Sequence, residues 1–517
     1  MTRKAFFALK GMLLVFLFLG SAASFAADED KKTGGEESVF EMREVSAFEK
    51  NDITNRPLTR GASVLCSNEP DKDVKAYPKL NSKKPLYGKL QIDRNSASGK
   101  AVEYHFVLDE SGEIPPVEEK KPEEPKPEKS LLQSLTEKLT GAEEKVAPAK
   151  SPAEKKPNVP KYDRLYIDLN RDLDLKNDPV VKLTKEQKFP AESVPNAYRV
   201  FDDVNIDVDY GPGTGIRPFR ILPCFVAYEY DHKTYTQMNF IPVTARQGRI
   251  KIGSHEYDAL LAQPYVISGR YDRPWTSLFL KPVDPQDKLD QHGFAGDSLR
   301  TAQRIDGELY TFSATPLGDK LMAKPYRGDY GVLKVGPGGR DLKELSIDGS
   351  LRSENMDIGF GPERVKPGEK EKEESEFKLP VGDYYPSYLW IKFGRLHVGL
   401  SDNYHAEGGA RNYDRPRNYF IKIRKDKPFV FDFSNKPAVL FASLPKDATY
   451  KPGDEIQVKA VLIDPVWNIM IRDLDDTTRK PAEGNASTSR SFQSLDPLVT
   501  ITDSAGKKVA EGPMPFG

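Results

Sequence analysis

The sequence contains few of the residues that support redox or metal chemistry. Its 517 residues include only two cysteines and six histidines. No CxxC pair occurs, which excludes a thioredoxin-type motif and a zinc knuckle. The HExxH spacing of zinc enzymes, the G-x-S-x-G elbow and the phosphate-binding loop are also missing. Two alternatives stay open for Cys66 and Cys224: they form a disulfide bridge, or they lie buried as small apolar groups.

The chain also lacks a large net charge and, beyond its first residues, a long apolar run. Lysine and arginine total 77 against 78 aspartates and glutamates, which leaves a formal charge of −1. Nucleic-acid binding requires a basic face, so we expect no nucleic-acid partner. No later stretch approaches the roughly 20 apolar residues that a membrane helix requires, so we expect no membrane span in the mature chain.

The first residues have the features of a secretory signal peptide. A positively charged start is followed by an apolar core at residues 12–19, which is too short to span a bilayer. Ser24 and Ala26 fit the small-residue positions of a signal-peptidase site. We therefore predict that residues 1–26 are a signal peptide and that the protein is exported to the periplasm, the cell surface or the medium.

Short apolar runs separated by turn residues make up most of the remaining chain. Examples are the runs at residues 389–393 and 419–423, while stretches with helical periodicity are scarce. The 41 prolines and 38 glycines are spread along the sequence, which suits many turns and few long helices. The pattern predicts a mainly β fold, with several β-sandwich-like domains in tandem.

Two charged segments interrupt this pattern. Residues 113–161 consist almost entirely of proline, glutamate, lysine, alanine and serine, and residues 364–376 are similar. Because such segments have little apolar surface to offset the entropy of ordering, we predict that both are long disordered insertions. Little chain precedes the first insertion, so we place it inside one domain. The strand that ends at Leu108 should then pair with the strand that begins at Leu165.

The predicted domain boundaries follow these changes in composition. After the signal peptide we predict, in chain order, a polar and poorly ordered segment at 27–75, a β-rich domain at 76–285 with the first insertion, a second β-rich domain at 286–433 with the second insertion, and a sandwich at 434–517.

The last of these domains carries a recognisable pattern. Residues 450–462 (YKPGDEIQVKAVL) give a turn and an alternating strand, and a hairpin follows at 498–510. The pattern resembles the immunoglobulin-like modules of secreted bacterial proteins. This resemblance implies a fold and says nothing about a ligand. Such sandwiches have about seven strands, so we expect this one to be incomplete as given.

The strongest chemical motif is a run of oxygen-bearing side chains that directly follows a strand. Asp168, Asn170, Asp172 and Asp174 occupy alternate positions, and Asp178 comes shortly after them. Oxygen ligands at this spacing can wrap around one calcium ion. The run resembles the calcium loops of EF-hand and dockerin-type proteins. Its position after a strand is similar to the D-x-N-x-D-x-D loops of exported bacterial β-rich proteins.

The loop departs from the EF-hand pattern at two positions. Leu173 stands where that pattern has a turn-forming glycine, and Pro179 stands where it has the last acid. The resemblance implies a structural calcium ion, held by the four aspartates and the asparagine, and no other cofactor. The alternative is a solvated acidic turn that holds no metal.

Two strand patterns are further candidates for binding surfaces. Acidic and apolar residues alternate along residues 203–209, which indicates either a cation- or sugar-binding face or an ordinary exposed face above a buried one. Tyr384, Tyr385, Tyr388 and Trp390 form either aromatic platforms for a glycan or part of an apolar core.

These observations favour binding or structural roles over catalysis. We predict no catalytic residues and no cofactor-binding residues. We expect an exported, non-enzymatic binding or structural protein of the bacterial envelope or surface, whose partner is an envelope or extracellular protein or a polysaccharide. The alternative is a secreted or periplasmic hydrolase that acts on glycans or peptides, with acids and His405 brought together by the fold.

Overall fold

Every regular element that the structure describes is a β-strand, which confirms the predicted mainly β fold. The structure is a computed structural model. It describes residues 37–55, 57–93, 101–112, 160–185, 199–230, 233–285, 296–336, 345–361, 376–403, 420–432, 436–441, 449, 451, 460–467, 469–480 and 492–513.

Grouped only by chain order and not by sheet, the described strands are the following. The first group is β1 Ser38–Glu41, β2 Arg43–Ser46, β3 Ala62–Leu65, β4 Leu86–Ile92, β5 Val102–Asp109, β6 Arg164–Ile167, β7 Val180–Lys182, β8 Arg199–Val200, β9 Val204–Asp209, β10 Ile216–Tyr230 and β11 Lys233–Pro242. The second group is β12 Thr244–Ile252, β13 His255–Ala262, β14 Ser277–Pro282, β15 Asp297–Ser298, β16 Thr301–Ile305, β17 Glu308–Ala314, β18 Lys320–Pro325 and β19 Tyr330–Gly336. The third group is β20 Leu345–Arg352, β21 Asp357–Phe360, β22 Glu376–Pro380, β23 Gly382–Phe393, β24 Leu396–Asn403, β25 Ile421–Ile423, β26 Phe429–Asp432, β27 Ala438–Phe441, β28 Ala460–Asp464, β29 Ile469–Asp476, β30 Gln493–Ser494, β31 Leu498–Thr502 and β32 Lys508–Pro513.

These strands pair into several separate sheets, mostly antiparallel. The largest is a 13-stranded sheet in the order β1-β18-β17-β16-β21-β20-β23-β24-β29-β28-β27, with β25 beside β23 and β30 beside β29. The smaller sheets within the described residues are β4-β5-β6-β7, β3-β11-β10-β8 with β9 beside β10, β15-β14-β13-β12-β2, β22-β19-β26 and the hairpin β31-β32.

The sheet β4–β7 packs face to face with the sheet that contains β10 and β11. Phe106 on β5 and Phe240 on β11 meet in this core, with ring centroids 5.6 Å apart. β5 and β6 pair antiparallel with Leu108 opposite Leu165, so the pairing predicted across the first insertion is confirmed. The sandwich forms because alternate residues of both sheets are apolar and turn towards each other.

The 13-stranded sheet contributes to two further cores. One lies between its strands β17 and β18 and the sheet that contains β12, β13 and β14, and it draws on residues from both sides of residue 285. The other lies between β20, β23 and β24 and the sheet β22-β19-β26. Phe360 and Phe377, which flank the second insertion, contact each other in this core with ring centroids 5.0 Å apart.

Residues 38–65 contribute three strands, although their polar composition predicts a poorly ordered segment. β1 pairs with β18, β2 with β12 and β3 with β11. Met42 and Ala47 are buried between them. This segment is ordered by backbone hydrogen bonds to strands much later in the chain. Such bonds do not depend on apolar side chains, so they could not be predicted from the composition of the segment.

Several sequence predictions fall on residues outside the described ones. These are the signal peptide and nearly all of both charged insertions. The domain boundaries and the immunoglobulin-like module stay predictions. In the C-terminal region, β28 and β29 extend the 13-stranded sheet, while β31 and β32 pair with each other.

The two cysteines are free thiols. Cys66 packs against the core between the first two sheets, and Cys224 is fully buried on the opposite face of the same sheet with Leu222 and Ile241. Burial raises the pKa of the Cys66 thiol to about 12. Of the two alternatives, the structure shows free thiols and no bridge, with Cys224 buried and Cys66 half-buried.

Candidate functional site

The acidic loop connects β6 to β7 and docks on an earlier segment of the chain. Its Leu175 side chain is fully buried in a small core beneath the loop. The Leu175 N–H donates to the carbonyl of Ala76 at 3.0 Å, and the Lys75 N–H donates to the carbonyl of Leu173 at 2.8 Å. The loop is therefore held by backbone pairing as well as by its own side chains.

Asp168 organises the start of the loop. Its carboxylate is fully buried and accepts the N–H of Asp172 at 3.1 Å and the N–H of Leu173 at 3.0 Å. Arg171 and Leu173 adopt left-handed backbone conformations, with φ of 59° and 65°. Such conformations are unfavourable for these side chains, and the two hydrogen bonds to Asp168 help to offset that cost. The carboxylate thus supports a turn at the position where the EF-hand pattern has glycine.

The next oxygen side chains are linked in one exposed network. Asn170 Oδ1 accepts the N–H of Asp172 at 3.0 Å, and Asn170 Nδ2 donates to Asp172 Oδ2 at the same distance. Asn177 Nδ2 donates to the same Asp172 oxygen at 2.7 Å, while Asp172 Oδ1 accepts the N–H of Asp174 at 2.8 Å. The hydrogen bond from Asn177 is the main cause of the lowered pKa of Asp172. Asp174 accepts the N–H of Lys176 at 3.0 Å.

Asp178 differs from the other aspartates of the loop. Its side chain is 9% exposed, and Oδ1 accepts the N–H of Leu169 at 3.1 Å. Its Oδ2 is buried and has no hydrogen-bond partner. The pKa of Asp178 is raised to about 6. Burial of the carboxyl group is the main cause, and the negative charges of Asp168, Asp172 and Asp174 add to it. A buried carboxylate oxygen in this state is stabilised by a proton, a water molecule or a cation.

Two basic side chains lie against the loop. The Lys75 ammonium donates to the carbonyl of Asp172 at 2.8 Å. The Arg171 guanidinium lies over the ring of Tyr104 at 5.9 Å from its centroid. Both offset part of the negative charge, and neither donates a hydrogen bond to Asp178 Oδ2. The sequence gives no signal for Lys75 as a neighbour, because the contact depends on the docking of a distant segment.

The structure brings the five predicted ligands into one loop but does not gather them around one point. In the described part of the chain, no three histidine, cysteine, aspartate or glutamate side chains form a group that could hold a metal ion. Calcium binding by this loop therefore requires side-chain movement, with Asp172 exchanging its amide partners for the ion. Sequence reasoning did not identify Asn177, which donates the shorter of the two amide hydrogen bonds to the Asp172 carboxylate.

The other candidates from the sequence are the acidic face of β9 and His405. Along β9, Val204, Ile206 and Val208 are buried and the residues between them are exposed. The acidic side chains therefore lie on an ordinary exposed face above a buried one. Asp203 pairs with the Arg220 guanidinium at 2.7 Å. His405, which the hydrolase alternative requires, lies outside the described residues.

The aromatic run on β23 divides between two faces. Tyr384 and Tyr385 are buried, as the core interpretation predicts. Tyr388 and Trp390 are half-buried and lie on the opposite face from Leu389 and Ile391, which belong to the core.

Comparison with known proteins provides no family. No protein-family model matches the chain, and no curated protein and no solved structure matches it either. Across the ranges that the structure describes, we find no helix with the length and apolar character needed to cross a membrane.

Proposed function

We propose that this protein is an exported, non-enzymatic binding or structural component of the bacterial envelope or surface, and that a calcium ion stabilises its Asp168 loop. One observation carries the calcium assignment. Asp178 buries a carboxylate oxygen without a hydrogen-bond partner beside three other aspartates. A divalent cation offsets this charge better than water can, because the Coulomb interaction is strong where solvent is excluded.

The use of acidic side chains in the described residues supports a structural role. Both carboxylate oxygens of Asp168 accept hydrogen bonds from backbone N–H groups of its own loop. Asp109, which is fully buried, accepts the N–H groups of Asn81 and Ser82 at 2.9 and 2.7 Å. A catalytic carboxylate needs an oxygen within reach of a substrate. These two carboxylates instead hold loops at the ends of β5 and β6, the inner strands of their sheet.

The proposed site suits a compartment that is rich in calcium. Calcium accepts six to eight oxygens in loose geometry, so backbone carbonyls and water complete a set that Asp168, Asn170 and Asp172 begin, with Asp174 or Asp178. A loop that lacks the usual glycine and final acid should bind with the modest affinity of extracellular modules, about 10⁻⁴ to 10⁻³ M. Such a site is occupied only outside the cytoplasm, which agrees with the predicted signal peptide.

The test is thermal unfolding of the purified chain with calcium and with a chelator. At tenfold the dissociation constant, calcium should stabilise the native chain by about 1.4 kcal/mol. In chelator, Asp178→Asn should be more stable than the native chain by about 1–3 kcal/mol, because it removes a buried and unsatisfied charge. The same variant should lose the response to calcium, and so should the double variant Asp168→Ala with Asp172→Ala.

Asp207→Asn is the matched control, since it removes one exposed charge from β9 and leaves the loop intact. It should respond to calcium like the native chain. A native chain whose melting temperature ignores calcium would leave the solvated acidic turn as the correct interpretation. An equal loss of response in Asp207→Asn would show that calcium acts elsewhere.

A further inference from the structure

The hairpin of β31 and β32 pairs with no other described strand. Within the part of the chain that the structure describes, these two strands form a sheet of their own. Leu498 is 64% exposed, Ile501 is 46% exposed and Val509 is 67% exposed. None of the hairpin residues belongs to the apolar cores formed by the described residues. A two-stranded sheet is only marginally stable in water, so the hairpin gains stability from pairing with a further strand.

The two edges of this hairpin differ in how well they are protected. β32 carries Lys508 and Glu511, and it ends in Gly512 and Pro513. Charged side chains and proline on an edge strand oppose pairing with another strand. β31 reads Leu-Val-Thr-Ile-Thr, a sequence with four β-branched residues and without charge, glycine or proline. Such a strand favours pairing along its free edge, so β31 is the edge at which a further strand would add.

The sequence of β31 is suited to antiparallel pairing with itself. When Thr500 lies opposite Thr500 of a second copy, Val499 lies opposite Ile501 twice, and no like charges meet. Because side chains alternate along a strand, Val499 and Ile501 of both copies then form one apolar row on the same face. The Thr500 hydroxyl donates to Glu511 Oε2 of its own hairpin at 2.9 Å, so the pairing depends on the backbone and on these apolar side chains.

We propose that β31 is a self-association edge, at which two copies of this chain pair antiparallel about Thr500. The two hairpins then form one four-stranded sheet in the order β32-β31-β31-β32, which exceeds the three strands that a stable sheet needs. Backbone N–H and C=O groups along the free edge supply the hydrogen bonds. The interface consists of two short strands, so the association is weak and depends on concentration. This inference goes beyond the proposed function, because it names a partner and does not depend on the calcium loop.

Disulfide trapping of the full mature chain tests the register of this pairing. Thr500→Cys places a thiol opposite its counterpart in the second copy, so a covalent dimer should form under mild oxidation. Thr502→Cys is the matched control, since it lies exposed on the same strand but opposite Leu498 of the second copy. It should cross-link about tenfold more slowly, because the two copies of residue 502 lie too far apart for a disulfide. The native chain, oxidised in parallel, measures any contribution of Cys66 and Cys224.

Sedimentation velocity over a wide range of concentrations measures the reversible association. The native chain should show a dimer whose fraction grows with concentration. The double variant Val499→Lys with Ile501→Lys places like charges opposite each other at two positions, whereas Val499→Lys with Ile501→Glu places opposite charges there. Both variants remove the same apolar side chains, so they differ only in the sign of one charge. The second should dimerise about tenfold more tightly than the first, a factor that corresponds to about 1.4 kcal/mol.

A native chain that stays monomeric, together with no covalent dimer of Thr500→Cys, would overturn the inference. Equal cross-linking of Thr500→Cys and Thr502→Cys, or equal affinity of the two double variants, would also overturn it. Hydrogen exchange identifies a different occupant: protection of every β31 amide in a monomer would show that another segment of the same chain covers this edge. None of these results alters the calcium response of the Asp168 loop, which belongs to a different sheet.

Discussion

At the scale of single residues, the sheet that carries both cysteines also keeps them apart. Cys66 packs into the core on one face, and Cys224 lies on the other. A disulfide requires Cβ atoms that point towards each other over a short Cα separation, which opposite faces of a sheet do not provide. Spacing along the chain could not decide between bridge and thiols, because the face of each residue depends on strand register.

We predict that reduction leaves the mass of the purified native protein unchanged. Cys224, which is buried, should resist alkylation under native conditions and react in denaturant. The half-buried Cys66 should react only slowly in the folded chain, because the thiolate is the reactive form. The high pKa of Cys66 makes its thiolate scarce even at mildly alkaline pH. Mass spectrometry before and after reduction is the measurement. A gain of mass on reduction, or fast labelling of the folded chain, would contradict the prediction.

In the aromatic run on β23, a register shift breaks the alternation of faces that the sequence predicts. Strict alternation would place Tyr384 and Trp390 on the same face, but Tyr384 is 1% exposed and Trp390 is half-buried on the other face. A register shift against β20 explains the change: Ser350 lies opposite Tyr388, and Leu351 lies opposite Pro386. The extra residue of such a bulge moves all following side chains to the other face.

At the scale of elements, alternation and composition predicted much of the first sandwich. β9 has the buried and exposed faces that its sequence indicates. The pairing of β5 with β6 followed from the small amount of chain before the insertion. The docking of the Asp168 loop on Lys75 and Ala76 could not be predicted, since it depends on a tertiary contact between segments that share no pattern. The five candidate ligand residues could be named from the sequence, but the hydrogen bonds among them could not be predicted.

Limited proteolysis tests the placement of the first insertion inside one domain. We predict cleavage within residues 113–161, after which both fragments should stay associated in native buffer. The physical reason is that β5 and β6, on either side of the cut, pair with each other and share one core. Size-exclusion chromatography of the nicked protein, with a denatured sample as the control, is the measurement. Fragments that separate without denaturant would show a linker between independent domains.

At the scale of the whole molecule, the predicted export has a direct test. We predict that the mature protein begins at Ala27, because Ser24 and Ala26 are the best-placed small residues after the apolar core. N-terminal sequencing of protein recovered from the periplasm or the medium is the measurement. Ala26→Arg should block processing, because a large charged side chain does not fit the peptidase site. An intact Met1 on membrane-bound native protein would contradict the prediction.

The pairing of the earliest strands also sets the order in which the molecule can be completed. Phe40 on β1 pairs opposite Leu321 on β18. The strands β2 and β3 likewise pair with β12 and β11, which come much later in the chain. Contacts so distant in sequence form late and slowly, because a long loop must close before they contribute. A ribosome or a translocation channel that releases this chain from its N-terminus therefore delivers these strands long before their neighbours. The strands β3 and β2 can pair once residues 233–242 and 244–252 have emerged, but β1 stays unpaired until residues 320–325 arrive. This end of the 13-stranded sheet is therefore completed only after a long stretch of chain has been released.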